Sequence, residues 1–219
     1  MNALAPGKFI TFEGGEGAGK STHAKRLATF LGARGIDVTR TREPGGSEGA
    51  EEIRKILVEG APGRWTPLTE TFLYAAARAD HVARLIAPAL AAGRWVISDR
   101  FTDSTLAYQG YGHGLDGATI ERINVLATGG LTPDLTVLLD LPVEEGLARA
   151  GKRAQDGPPG SREDRYERMD RMFHQRLRDG FRAIAAAETA RCLIIDATRP
   201  VDDVATEIAT AVTERLLAS

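Results

Sequence analysis

The tightest constraint on this chain is the run Gly14, Gly15, Glu16, Gly17, Ala18, Gly19, Lys20, Ser21, which follows the segment FITFE and precedes a helical pattern opening at Thr22. Glycines at this density let the backbone curl until successive N–H groups face one point, and the helix behind them adds the positive end of its dipole. Main chain can then hold a polyphosphate. Lys20 supplies a mobile positive charge for the β and γ phosphates, and Ser21 offers its hydroxyl to the Mg²⁺ that bridges them. Residues from Gly14 to Thr22 are therefore expected to contact ATP or a related triphosphate. The loop does not choose a reaction, because motors, GTPases and kinases share it.

A loop of this kind needs a parallel sheet around it. Apolar runs rich in β-branched residues at 9–12, 36–39, 95–98, 135–139 and 192–195 read as strands. Helical patterns lie between them at 22–33, 48–58, 68–90, 116–127, 143–150, 162–187 and 201–217. The alternation predicts an α/β fold of three layers, a five-stranded parallel sheet with helices on both faces. At 219 residues with 42% hydrophobic content, one domain spanning 1–219 is expected. The one interruption is QDGPPGS at 155–161, whose prolines and glycines between basic helical segments predict a mobile loop.

Charge narrows the partners. With 28 basic against 30 acidic residues the formal net charge is -2, which argues against a general nucleic-acid surface and for small-molecule partners. No uninterrupted apolar stretch is long enough to span a membrane, and MNALAPGKFITFEGG has no apolar core behind a basic end, so a cytoplasmic protein is expected. The single cysteine, Cys192, lies in the apolar run CLII; it excludes an intramolecular disulfide and reads as a buried thiol.

The remaining motifs appear in a telling order: GGEGAGKST, TREPGG at 41–46, SDR at 98–100, STLAYQG at 104–110 and an arginine-rich stretch from Arg149. In that order they resemble the bacterial thymidylate kinases, which are P-loop nucleoside-monophosphate kinases, over nearly the whole chain. The resemblance implies phosphorylation of dTMP to dTDP by ATP with Mg²⁺, and a homodimer. It places Glu43 and Pro44 beside the acceptor's phosphate and sugar, with Arg42 adding charge. Tyr74 would stack on thymine and Arg78 would bond the base edge. Asp99 would orient the acceptor phosphate or the water shell of the metal, so it joins Ser21 as a metal contact. Arg100 would clamp the acceptor phosphate in the bidentate geometry open to arginine. Glu16 would face the acceptor's 3′-hydroxyl, and Thr105 and Tyr108 would stand near the base and the 2′ edge of the sugar. On their own, Tyr74 and Arg78 show only the four-residue spacing that shares a helix face, and Pro-Gly-Gly is simply a good turn.

Transfer between two nucleotides concentrates negative charge, so a further cation is needed. Eukaryotic relatives carry an arginine in the loop where this chain has Gly17, which leaves that role to a lid at about 149–162. Arg149 and Arg153, four apart on a helical pattern, are the candidates, with Lys20, Asp99 and Arg100 completing the catalytic set. Two departures from the relatives fall here: Gly151 stands where arginine is frequent, and 157–160 reads as lengthened. Other readings are a kinase for dCMP, UMP or GMP with the same machinery, and a GTPase-like switch. The guanine-reading N-K-x-D sequence is absent, and a switch leaves TREPGG and the basic segment unexplained.

Overall fold

Five strands, β1 (Phe9–Glu13), β2 (Val38–Arg42), β3 (Trp95–Asp99), β4 (Leu135–Asp140) and β5 (Cys192–Asp196), make one parallel sheet in the order β2-β3-β1-β4-β5. The computed structural model describes residues 7–59, 63–156 and 165–218. All five residues of β1 are buried, as a central strand covered on both faces requires. Phe12 lies opposite Asp99 of β3 on one side and Val137 of β4 on the other. The strand order reverses at β1, and the crevice that opens at its carboxyl end is where ligands collect in such sheets.

The helices are α1 (Lys20–Gly32), α2 (Glu48–Val58), α3 (Pro67–His81), α4 (Ala87–Ala91), α5 (Thr102–Thr105), α6 (Gly117–Thr128), α7 (Val143–Asp156), α8 (Arg171–Ala187) and α9 (Val201–Val212). Alternation along the strands divides the core between two faces. Ile10, Phe12, Val137 and Ile195 meet Leu27 and Leu31 of α1 and Val204 and Ile208 of α9. On the other face Phe9 and Val96 pack with Val82, Ile86 and Phe101, while Leu138 packs with Leu177 and Phe181 of α8. That second face also buries a polar stripe, Thr11, Glu13 and Thr136, with the two threonine hydroxyls 2.9 Å apart.

The expected three-layer architecture is present, with differences at its edges. Strand β2 begins at Val38 rather than at residue 36, because Ile36 is spent on the helix end: its N–H reaches Leu31 O at 3.2 Å and its side chain packs on the core. The helix expected over 68–90 widens into a π-helical turn at Val82–Ile86. Pro88 has no N–H to offer residue 84, and a wider turn at that point accommodates the loss. The helix expected from 162 starts at Arg171, where the Asp170 carboxylate accepts from Phe173 N at 2.7 Å and caps it; residues 162–164 lie outside the described residues. A short helix and a π-helical stretch over Leu106–Gly112 were not expected, since glycines at 110 and 112 interrupt the pattern. Gly112 is required there: a Cβ would stand 2.6 Å from the Phe173 ring.

Candidate active site

The cradle is the link between β1 and α1. Gly19, at the head of α1, has φ 91 and no side-chain cap, and no acidic residue occupies the first turn, so the positive end of the helix faces the loop. Gly17 has φ 70, and a Cβ on it would come within 2.1 Å of Gly146 O on α7. Lys20 Nζ donates to Gly14 O at 3.1 Å and Gly15 O at 2.8 Å, spanning the loop. Burial, then the neighbouring Arg100 charge, push the Lys20 ammonium down to about 8. Ser21 donates its hydroxyl to Asp99 Oδ2, bringing together the two oxygen groups expected near the metal. Thr22 is exposed on the first turn of α1.

Arg100 joins this cradle to the opposite wall. It is the only non-glycine residue with positive φ among the described residues, at 74, a conformation that costs about 1–3 kcal/mol and persists where the surroundings impose it. Its N–H donates to Phe12 O at 2.9 Å, and its carbonyl accepts from the Ser98 hydroxyl at 2.8 Å. Its Nη1 donates to Gly14 O and to Ser104 Oγ, both at 3.1 Å, and Nη2 donates to Glu16 Oε1 at 2.9 Å. Tyr108 donates its hydroxyl to the same Glu16 oxygen at 2.7 Å and lies with its ring 5.0 Å from the guanidinium. Glu16 is thus turned from the cradle towards the wall. Burial opposes the Arg100 charge, but Tyr108, Glu16 and Asp99 hold it above the ordinary arginine range, while burial raises the Tyr108 hydroxyl well above its own.

The wall is a buried network around Glu43 and Arg78. Arg78 donates Nε to Glu43 Oε2 at 2.7 Å, Nη1 to Thr105 Oγ1 at 3.0 Å and Asn124 Oδ1 at 2.8 Å, and Nη2 to Phe101 O at 2.9 Å. Glu43 Oε1 meets His81 Nδ1 at 3.0 Å, and His81 Nε2 meets Thr41 Oγ1 at 2.7 Å. Gly46 leaves room for that pair, since a Cβ there would fall 2.4 Å from both atoms. Pro44, joined to Glu43 by a cis peptide bond, accepts on its carbonyl from Arg54 Nη1 at 2.6 Å. Arg42 departs from the group: it is half-exposed and donates to Glu51 Oε2 at 3.0 Å on α2.

Tyr74 is half-buried beside this network, and its hydroxyl donates to Tyr166 OH at 3.3 Å. Tyr166 in turn donates to Glu70 Oε2 at 2.8 Å and sets its ring 4.8 Å from that of Tyr108. Gln109 Nε2 donates to Glu70 Oε2 at 3.0 Å, and Arg165 pairs with the other carboxylate oxygen. Sequence reasoning missed His81, Asn124, Glu70 and Tyr166. His81 carried a signal, since Tyr74, Arg78 and His81 stand four and three residues apart and so share one helix face. Glu70, four residues before Tyr74 on the same helix, carried it too, whereas Asn124 and Tyr166 come from distant segments and carried none.

Of the lid, α7 is helical to Asp156, and 157–162 lie outside the described residues, as does the side chain of Arg153. Arg149 donates Nη1 to Ala197 O at 3.2 Å beyond β5 and pairs with Glu145. Two arginines of α8 serve the framework: Arg178 holds Asp140 through two bonds, at 2.7 and 3.0 Å, and Arg176 donates to Gly112 O at 3.1 Å. Among the described residues no three His, Cys, Asp or Glu side chains gather as a metal site. The Ser21 and Asp99 oxygens suit a metal held chiefly by phosphates and water, the usual arrangement for Mg²⁺.

Transfer of a phosphoryl group between two anions needs two anion-binding walls meeting at one crevice, with little covalent chemistry left for the protein. Fold and site together therefore define a P-loop phosphotransferase. The family model for thymidylate kinase matches residues 12–208. The chain is 51% identical to the thymidylate kinase of Rhizorhabdus wittichii over 211 residues, covering 96% of this chain and 99% of the relative. It is 52% identical to that of Geotalea uraniireducens over 210 residues, covering 96% and 98%. The crystal structure of the thymidylate kinase from Ehrlichia chaffeensis superposes with a TM-score of 0.74 at 34% identity, covering 94% of this chain and 99% of that one. The chain belongs to the thymidylate kinase family.

Proposed function

We propose that this enzyme, which phosphorylates dTMP to dTDP with ATP, does so by direct in-line transfer between the cradle and the wall. Arg100 carries the reading, because one guanidinium touches the cradle at Gly14 and the acceptor side at Glu16 and Ser104. In the reaction Gly14 to Thr22 hold ATP, and Lys20 leaves the Gly14 and Gly15 carbonyls for the β and γ phosphates. Ser21 and Asp99 would hold Mg²⁺, which when bound would offset charge on those phosphates. Arg100 clamps the acceptor phosphate. Glu16 receives the sugar's 3′-hydroxyl, and Tyr108 blocks a ribose 2′-hydroxyl. Tyr74 stacks on the base, stacking being worth about 1–3 kcal/mol in nucleic-acid systems. Arg78 and Thr105 face its edge. Four of the five N–H groups of Arg78 are engaged by protein, which leaves one for thymine. Glu43 and Pro44 shape the phosphate and sugar end, and Arg42 adds only distant charge.

Arg149 or Arg153 supplies the cation that Gly17 cannot, Arg149 by leaving Glu145 and Ala197 when the lid at about 149–162 closes. Closure would also exclude water from the γ phosphate. The enzyme works in the cytoplasm as a homodimer; exposed apolar side chains on neighbouring helices, Phe72 of α3 at 55% and Leu126 of α6 at 84%, support an interface there. Sedimentation as a monomer at micromolar concentration would remove the dimer from the reading. For the reaction, ADP release is followed with dTMP, dUMP, dCMP, UMP and dGMP supplied separately. Fastest turnover is expected with dTMP; faster turnover of dCMP would sink the substrate assignment, and acceptor-independent hydrolysis would sink the kinase.

A further inference from the structure

Glu13 is the last residue of β1, and alternation along the strand turns it away from the cradle onto the face covered by α5 and α8. It is 1% exposed, and both carboxylate oxygens are engaged. Oε1 accepts from Phe101 N at 2.8 Å, and Oε2 accepts from the Ser104 hydroxyl at 2.6 Å. That hydroxyl accepts from Arg100 Nη1 at 3.1 Å. A buried carboxylate therefore stands directly behind the guanidinium that faces the acceptor. It also holds the peptide N–H that follows Arg100, in the very turn where Arg100 keeps its positive φ.

We propose that Glu13 is a positioning residue for Arg100: through Ser104 and the Phe101 amide its carboxylate fixes the guanidinium in the orientation that grips the acceptor phosphate. The proposal rests on Arg100 being the acceptor clamp. The surrounding charges favour this assignment, because the acidic group beside Glu13 is already spent, while Glu16 accepts from the other end of the same guanidinium at Nη2. Asp103 of α5 is taken by Arg191, next to β5, at 2.7 and 2.9 Å, so Arg191 is not free to neutralise Glu13. Facing Glu13 are Asp103 and Ser104 from α5, Arg100 and the Phe101 amide from the turn, Lys20 from α1, and Cys192 from β5. Helix α8 adds only apolar groups, Phe181, Ile184 and Ala185.

The hydrogen bonds demand an ionised Glu13. A carboxylate accepts from both donors; once protonated, one oxygen becomes a donor, and either Phe101 N–H or the Ser104 hydroxyl loses its acceptor. Burial first, then the Asp103 charge, raise the carboxyl to about 7 against the pull of Arg100. The grip is complete above that value and relaxes as pH falls through it.

The test is steady-state kinetics with ATP and dTMP varied in turn, between about pH 6 and about pH 8.5, on wild type, Arg100→Lys, Glu13→Gln and Ser104→Ala. Thermal midpoints are recorded alongside. Glu13→Gln and Ser104→Ala are each expected to raise KM for dTMP about tenfold and to leave KM for ATP within about twofold. In Glu13→Gln the inflection near 7 in kcat/KM for dTMP disappears, while the ionisation of the dTMP phosphate remains in every variant. Retention of that inflection, or equal losses towards both substrates, overturns the proposal. If Glu13→Gln does not fold, Ser104→Ala alone decides it through the same KM split. An unchanged KM for dTMP in Arg100→Lys would instead overturn the clamp, whatever Glu13 does.

Discussion

The cradle and the wall share one crevice but are made of different material. The cradle is main chain from consecutive residues, with Lys20 and Ser21 as its working side chains, and little of the core leans on them. The wall is side chains from β2, α3, α5 and α6, buried and bonded to one another around Glu43 and Arg78. Loss of a cradle side chain should therefore cost catalysis alone, and damage to the wall should cost the fold as well.

Arg78→Ala gives the largest expected effect. It leaves the Glu43 carboxylate buried without its arginine, and loss of about 3–5 kcal/mol is expected by urea unfolding. A wild-type urea midpoint in that variant would erase the distinction. Lys20→Ala comes next, with kcat/KM falling by on the order of 10²–10³ while the urea midpoint barely moves. Gly17→Ala pushes a methyl into Gly146 O and strains the loop by about 1–3 kcal/mol; isothermal titration should show weaker ATP binding with dTMP binding kept. Acidity sharpens the contrast further: Lys20 is charged below about 8, so kcat/KM for ATP should decline as pH rises through that value. The smallest effect is expected from Tyr108→Phe, which removes one hydrogen bond to Glu16. About 0.5–1.5 kcal/mol of discrimination between dTMP and UMP should go with it, measured by competition.

The same difference in material explains what the sequence could reveal. The cradle was legible because its atoms belong to neighbouring residues, so spacing alone states the geometry. Helix α2 was legible to the residue, with Glu48 and Glu51 in its first turn and Lys55 in its last. The π-helical stretches were not, because an extra residue in a turn leaves no mark on a periodic pattern beyond a nearby proline or glycine. In the wall, Arg78 reads unaided as a surface arginine on a helix, and only contacts with Glu43, Thr105 and Asn124 bury it. Family likeness gave Arg78 a role without giving its partners. Tyr166 and Arg165 reach Glu70 from the far end of the chain, a closure that no local rule foretells.

The close approach of Gly17 and Gly146 makes two positions into one. A Cβ at 17 meets Gly146 O at 2.1 Å, and a Cβ at 146 meets Glu16 O at 2.5 Å. An arginine cannot be grafted onto this loop by a single exchange, since its first carbon already lacks space. Relocating the missing cation from α7 to the loop requires the loop and the helix to change together. The two sites should therefore be strongly non-additive in a double-mutant cycle, and any redesign of the donor site has to treat them as a unit.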